Sequence, residues 1–228
     1  MAPDATVAGP PAEAVAALAD RVERAAARVD GRFLLGIAGS PGSGKTTLAA
    51  ALVAELDARR PGAAAALPMD GFHLANATLD RLGRRDRKGA LDTFDGWGFL
   101  ALLRRVRTEE QHTVYAPSFR RVVDEGVAGE IAIEPAARVI VVEGNYLLVD
   151  DGPWALVRDA LDEAWFCATS PQDREMRLIH RHTLGGRSVE AATAWAREVD
   201  GTNALLIDAT RDRADAVVSG TTGAVLPD

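Results

Sequence analysis

Three observations predict an α/β protein in which a mainly parallel sheet is covered by helices on both sides. Short apolar runs alternate with amphipathic helical patterns along the chain. Two of those runs, within "RFLLGIAG" (32–39) and "ARVIVVEGNYLLV" (137–149), lack polar alternation, as strands buried on both faces do. A glycine-rich turn, "GSPGSGKT" (39–46), joins the first run to a helical pattern. Right-handed crossovers are expected between the parallel strands. A chain of 228 residues suits one such domain with an insertion.

The elements follow in chain order. Residues 1–11 are acidic and proline-rich, and are expected to form a disordered leader rather than a signal peptide. Val15, Leu18, Val22, Ala25 and Val29 recur at helical spacing, which predicts a helix over 12–29. After the strand at 32–39, a helix spans 45–59 with Leu48, Leu52, Val53 and Leu56 inward, and Pro61-Gly62 stops it. "AAAALPM" (63–69) reads as a second strand, and the polar, turn-rich 80–95 as a loop. Asp95 is placed to cap a helix over 97–107. "TVYAPSF" (113–119) and "GEIAIEP" (129–135) read as an inserted hairpin around a glycine-containing turn region. The strand at 137–149 is followed by a helix at 153–161 and a strand at 163–169. A helix rich in arginine covers 171–184 and ends at Gly185-Gly186; another covers 188–206, before a last strand at 214–218.

Composition narrows the function classes. Hydrophobic residues make up 47% and charged residues 26%, as in ordinary globular proteins. A net charge of −7 argues against a nucleic-acid surface, because a phosphate backbone requires a basic face. One cysteine, Cys167, excludes an internal disulfide and a cysteine zinc site, and fits the reducing cytoplasm. No uncharged apolar stretch reaches the ~18 residues of a membrane span.

The turn at 39–46 fits G-x-x-x-x-G-K-[ST] in full, between a buried strand and an amphipathic helix. Such a P-loop cradles phosphates. Amides of Gly42, Ser43, Gly44, Lys45 and Thr46 curl around phosphate oxygens, and side chains at Gly39 and Gly44 would obstruct that path. Ser40, Pro41 and Thr47 complete the predicted nucleotide contacts. Thr46 offers a hydroxyl to Mg²⁺. Of 26 basic residues only Lys45 and Lys88 are lysines. At position 45 the reason is chemical: a compact ammonium fits between β- and γ-phosphates where a broad guanidinium does not.

No N-K-x-D or T-K-x-D exists, which excludes a standard GTPase, and "TLGGR" (183–187) matches a transporter signature poorly. Kinases and related NTPases remain. Asp70, in "PMDGFH" after the second strand, is the candidate base for an acceptor hydroxyl. Glu143, ending the strongest strand, is the candidate second metal contact with Thr46. Arg174, Arg177 and Arg181 share a helix face. Arg177 and Arg181 are read as a clamp on the transferring charge, and Arg174 as a solvated arginine paired with Asp173 and Glu175. His73 is read either as facing substrate or as a turn histidine. Lys88 is read either as an acceptor contact or as a loop lysine. The rival function is an ATP-binding regulator without a small-molecule acceptor.

"GSPGSGKTT", "MDGFHLAN", "RKGALDTFD", "YAPSF", "VVEGNYLL", "RLIHRHTLGGRS" and "DGTNALLI" occur in an order that resembles the phosphoribulokinase/uridine kinase family, over about residues 30–220. The resemblance implies a three-layer α/β/α P-loop fold with a five-stranded parallel sheet of order 2-3-1-4-5. It implies a single kinase domain at 12–228, an acceptor-side insertion at 84–135 and a lid at 174–190. It also implies ATP with Mg²⁺, a small hydroxyl acceptor of nucleoside, sugar or pantothenate type, often a homodimer, and no nucleic-acid or membrane partner. Acceptor contacts are expected from His73, Lys88, Asp92, Tyr115, Arg120 and Asn145. The chain departs from the pattern at Leu91, where relatives tend to carry proline, and at Arg120, where an acid is common. A cation at position 120 favours an acceptor bearing a carboxylate or phosphate.

Overall fold

A computed structural model describes residues 9–227. Residues 1–8, most of the expected leader, lie outside the described residues. Pro10 is buried.

The central sheet is built from β1 (Phe33–Ala38), β2 (Ala64–Pro68), β5 (Val139–Gly144), β6 (Glu163–Ala168), β7 (Ala216–Ser219) and β8 (Val225–Leu226), in the order β2-β5-β1-β6-β7-β8. The first five of these are mutually parallel, and β8 adds antiparallel to β7. The five parallel strands follow the expected order 2-3-1-4-5, and β8 extends the sheet to six. A strand of two residues is too short to carry a periodic signal. β1 and β5 are buried along their whole length. That burial is why their sequences run apolar without alternation.

Helices α1 (Ala12–Ala26) and α2 (Lys45–Arg59) cover one face. There Leu18, Val22, Leu48 and Leu52 meet Leu35, Ile37, Val141 and Trp165 from the sheet. Each such buried side chain contributes roughly 1.5–3 kcal/mol relative to exposure. Helices α4 (Gly96–Thr108) and α5 (Gly152–Asp159) help cover the other face, where Phe99, Leu103 and Trp154 pack on Leu34, Ile140 and Val142. Asp95 caps α4 by accepting from the Gly98 amide at 2.8 Å.

Several boundaries differ from the sequence reading, each for a local reason. α1 stops at Ala26, leaving Val29 half-buried beyond it. β5 ends at Gly144, where a β-carbon would come 2.5 Å from Met69 Cβ. Residues 145–149 turn, yet Tyr146 to Val149 stay buried, so apolarity overstated the strand. The stretch 80–95 is not all loop: α3 (Asn76–Leu82) enters it, and two 3₁₀ turns follow. The hairpin strands are β3 (Val114–Arg120) and β4 (Glu125–Ile133), so Gly126 and Gly129 lie in a strand and the turn is 121–124. Asp124 takes φ 54° there. After α6 (Pro171–Leu184), the helix expected at 188–206 divides into α7 (Val189–Trp195), a π-helical turn Ala196–Asp200 and α8 (Gly201–Asp208).

Among the described residues no helix is long and apolar enough to cross a membrane. Burial pushes the Cys167 thiol up to about 11, so it behaves as an inert core residue.

Candidate active site

The C-terminal ends of the parallel strands converge on one edge of the sheet, and the site assembles there. Between β1 and α2, the P-loop uses positive φ at Gly42 (77°) and Gly44 (95°). A β-carbon at Gly44 would come 2.6 Å from the Gly220 carbonyl, and one at Gly39 2.7 Å from that of Cys167. The motif glycines are thus required by conformation and by close backbone approach. Thr169 Oγ1 donates to the Ser43 carbonyl at 2.7 Å and holds the loop from β6.

α2 opens with no side-chain cap and no acid in its first turn. Its first amides and dipole are therefore left for an anion. Lys45 and Thr46 stand at that terminus, and Thr46 Oγ1 donates to Glu143 Oε1 at 3.2 Å. Glu143 is 4% exposed. Burial raises its carboxyl from the usual range to about 7; Lys45 opposes that shift and Asp70 adds to it. No cluster of three or more His, Cys, Asp or Glu side chains is placed to hold a metal among the described residues. One buried carboxylate and one hydroxyl beside a phosphate cradle fit Mg²⁺, which takes few protein ligands alongside phosphate oxygens.

Asp70 lies in the 3₁₀ turn Met69–Phe72 at the end of β2. The pairing Pro68↔Glu143 brings its turn beside Glu143. Gly71 explains the next position of "MDGFH": a β-carbon there would overlap the Pro117 carbonyl of β3, so only glycine lets the hairpin seat on the Asp70 turn. His73 Nδ1 sits 2.8 Å from the Asp70 carbonyl. A carbonyl only accepts, so Nδ1 carries the proton. Burial lowers the His73 pKa and favours the neutral ring. The ring packs against Phe94 and Phe119, with centroids 4.0 and 4.6 Å away.

Asp70, His73, Lys45, Thr46, Asn145 and Arg181 line one cleft of about 800 Å³. The Asn145 Oδ1 atom is buried without a hydrogen-bond partner among the described residues. Lys88 lines the wall, but its ammonium is engaged by Asn76 Oδ1 at 2.6 Å, by the Asp124 carbonyl and by Asp124 Oδ2 at 3.2 Å. It lies 5.0 Å over the Phe119 ring. Three donors meet three acceptors, so Lys88 ties the loop before α4 to the hairpin turn. Arg177 donates to the Gly42 carbonyl at 3.2 Å and to Thr221 Oγ1 at 3.0 Å, directly on the P-loop.

Four side chains are placed elsewhere than the sequence suggests. Tyr115 is 61% exposed and does not line the cleft. Asp92 pairs with Arg87 at 2.6 Å outside it. Arg120 is turned to Glu130 of β4, with Nε 2.6 Å from Oε1, because alternation puts it on the same face as Ser118, which bonds the same carboxylate. Arg174 is not a solvated partner of Asp173 and Glu175; it is largely buried and reaches Asp208 at 3.4 Å. Ser40 Oγ donates to the same Asp208 at 2.6 Å, so α8 and α6 are joined to the P-loop.

Other cleft residues escaped the sequence reading. Arg121, next to Arg120, lines the cleft with Nη2 4.0 Å from Asp70 Oδ2. His182 and Asp200 pair at 2.7 Å across α6 and the π-helical turn. Arg187, by contrast, was expected to follow the Gly185-Gly186 hinge of the lid, and it stacks on Trp195 at 4.0 Å. The adjacent Arg-Arg and "DGTN" gave the residue types, but their direction depends on the hairpin turn and the π-helical turn.

A family model described as Phosphoribulokinase / Uridine kinase family matches residues 34–224. The chain belongs to the phosphoribulokinase/uridine kinase family. A candidate uridine kinase from Schizosaccharomyces pombe is 35% identical over 160 residues, 68% of each chain. The pantothenate kinase of Lacticaseibacillus casei is 27% identical over 217 residues, 84% of this chain and 69% of that enzyme. The crystal structure of a candidate fructose transport system kinase from Silicibacter superposes with a TM-score of 0.82 at 39% identity, covering 89% of this chain and 98% of that one. The chain is thus a nucleotide-binding protein of the P-loop kinase type.

Proposed function

We propose that this family member transfers the γ-phosphoryl group of ATP to a hydroxyl of a small metabolite, with Mg²⁺ as cofactor. The observation that carries the reading is the meeting of three groups at one sheet edge: the uncapped start of α2 with Lys45, the Thr46–Glu143 pair, and Asp70. Phosphoryl transfer depends mainly on positioning and charge neutralisation, which these groups supply.

The P-loop amides and Lys45 bind the phosphates and orient the terminal one toward Asp70. Bound Mg²⁺, held by Thr46 and Glu143, would neutralise phosphate charge. Asp70 accepts a hydrogen bond from the acceptor hydroxyl. As the acceptor oxygen forms its bond to the γ-phosphorus, the bond to the bridging oxygen breaks, ADP leaves, and the hydroxyl proton passes to Asp70. Arg177 and Arg181, on α6, offset the charge that spreads over the transferring group. The segment 174–190 serves as a lid and 84–135 frames the acceptor. Residues His73 and Asn145 face that acceptor.

The test is Asp70→Asn in an ADP-release assay with a panel of nucleoside, sugar and pantothenate-like acceptors. Turnover is expected to fall by about 10²-fold or more, with ATP affinity by calorimetry retained within a few-fold. Near-normal turnover in the variant refutes the assignment of Asp70. ATP binding with no acceptor-stimulated ADP release by the unaltered chain favours a regulator instead.

A further inference from the structure

We infer that the acceptor is a short hydroxy compound carrying a carboxylate or phosphate within about two or three carbons of the reacting hydroxyl, and that Arg121 binds that anion. The inference rests on the kinase reading above, with Asp70 beside the reacting hydroxyl.

The first support is what the cations around Arg121 already do. Arg85 is bonded to Asp124 at 2.9 Å, Lys88 is tied to Asn76 and Asp124, and Arg120 is bonded to Glu130. Arg121 differs. Its nearest acid is Asp70, at 4.0 Å, which is beyond hydrogen-bond range. Its side chain is 56% exposed and lines the cleft. Its guanidinium donors are therefore available to a ligand that also touches Asp70.

The second support is that Arg121 sits on an anchored turn. The Asn76 amide donates to Glu125 Oε1 at 3.0 Å, and the Asn76 side chain donates to the Asp124 carbonyl at 3.1 Å. Lys88 and Arg85 close on Asp124 from the same side. A fork held on a fixed turn loses little freedom when it binds a planar or tetrahedral anion.

Charge and shape agree with this. Asp70 repels an anionic acceptor, so such an acceptor needs a cation beside it, and Arg121 stands 4.0 Å from Asp70 in the same cleft. His73 makes tilted ring contacts with both Phe94 and Phe119, and Lys88 lies over Phe119, which narrows the room for a stacked nucleobase. The short Asp70–Arg121 separation matches a hydroxyl and an anion close together on one small skeleton.

The experiment is calorimetric titration of the full chain, preloaded with MgADP, with D-glycerate and glycerol 1-phosphate against their neutral counterparts glyceramide and glycerol. Uridine and fructose are included. At least one anion is expected to bind about tenfold or more tighter than its neutral counterpart. The preference should collapse in Arg121→Gln and return in part in Arg121→Lys. Which of the two anions binds identifies carboxylate or phosphate. A steady-state assay separates binding from steering: loss of the anion contact raises KM for the anionic acceptor, whereas a residue that only steers Asp70 would lower kcat for every acceptor alike. The inference is overturned, with the kinase reading intact, if MgADP binds but neither anion does, if neutral compounds bind as well, if uridine or fructose is preferred, or if Arg121→Gln keeps the preference. Failure of MgADP to bind overturns the kinase reading and this inference with it.

Discussion

Glu143→Gln should stabilise the nucleotide-free protein at alkaline pH, although it removes a charge from the centre of the site. In the folded chain burial lifts the Glu143 carboxyl from 4.5 to about 7. The folded state therefore holds a proton, between those values, that the unfolded chain has released. Stability from this group is complete below about pH 4.5 and is lost as pH rises through about 7. A gap of that size corresponds to roughly 3–3.5 kcal/mol as an upper figure, of which roughly 2–3 kcal/mol falls between pH 5 and pH 8. Glutamine keeps an oxygen to accept from Thr46 and has no proton to lose, so its stability should be flat over the window. Urea denaturation without nucleotide or Mg²⁺ at pH 5 and pH 8 measures this. The unaltered protein should lose up to roughly 2–3 kcal/mol relative to Glu143→Gln between the two. In a chain of this size that is a relative shift of very roughly 4–10 °C in Tm. An unchanging difference between the two proteins across the window would refute the reasoning. It would mean that Lys45 holds Glu143 ionised despite its burial.

Two further substitutions test the frame. Arg32 is 2% exposed and donates to the carbonyls of Val106, Glu109, Glu134 and Ala137, joining the start of β1 to the end of α4 and the turn before β5. Arg32→Met should cost roughly 3–5 kcal/mol in urea denaturation, because it strands buried carbonyls. Lys88→Met should loosen the hairpin turn without touching the P-loop; amide exchange at 121–125 is expected to quicken about tenfold or more, with MgATP affinity unchanged.

The parts of the fold legible in the sequence were those whose signal is local. The P-loop, α2 and α6 have boundaries set by Gly44, Pro61-Gly62, Pro171 and Gly185, and the sequence places them where the structure does. Asp95 announces α4 by the chemistry of a cap. Elements whose ends are decided by tertiary contact were misjudged. Tyr146 to Val149 look like strand because they are apolar, yet they are buried in a turn. α3 hides in a polar stretch because its stability comes from Leu79 and from Asn76 bonded to the hairpin, not from amphipathic length.

Side-chain direction in the site follows a stricter rule. Lys45 and Thr46 are fixed by the P-loop, and Asp70 and Glu143 by the ends of β2 and β5, so the positions of these four were legible from motif and strand end. Residues on the hairpin depend on register, and in a strand one position reverses the face. The cation expected near the acceptor was Arg120, which β3 directs to Glu130; Arg121, in the turn, lies 4.0 Å from Asp70 instead. Gly71 makes that exchange consequential. Because Gly71, with Gly126 opposite it, lets the hairpin lie against the Asp70 turn, the seating of the hairpin and the position of the candidate base are set by the same contact. A side chain at position 71 would push the hairpin off the Asp70 turn and so change the separation of Arg121 from Asp70.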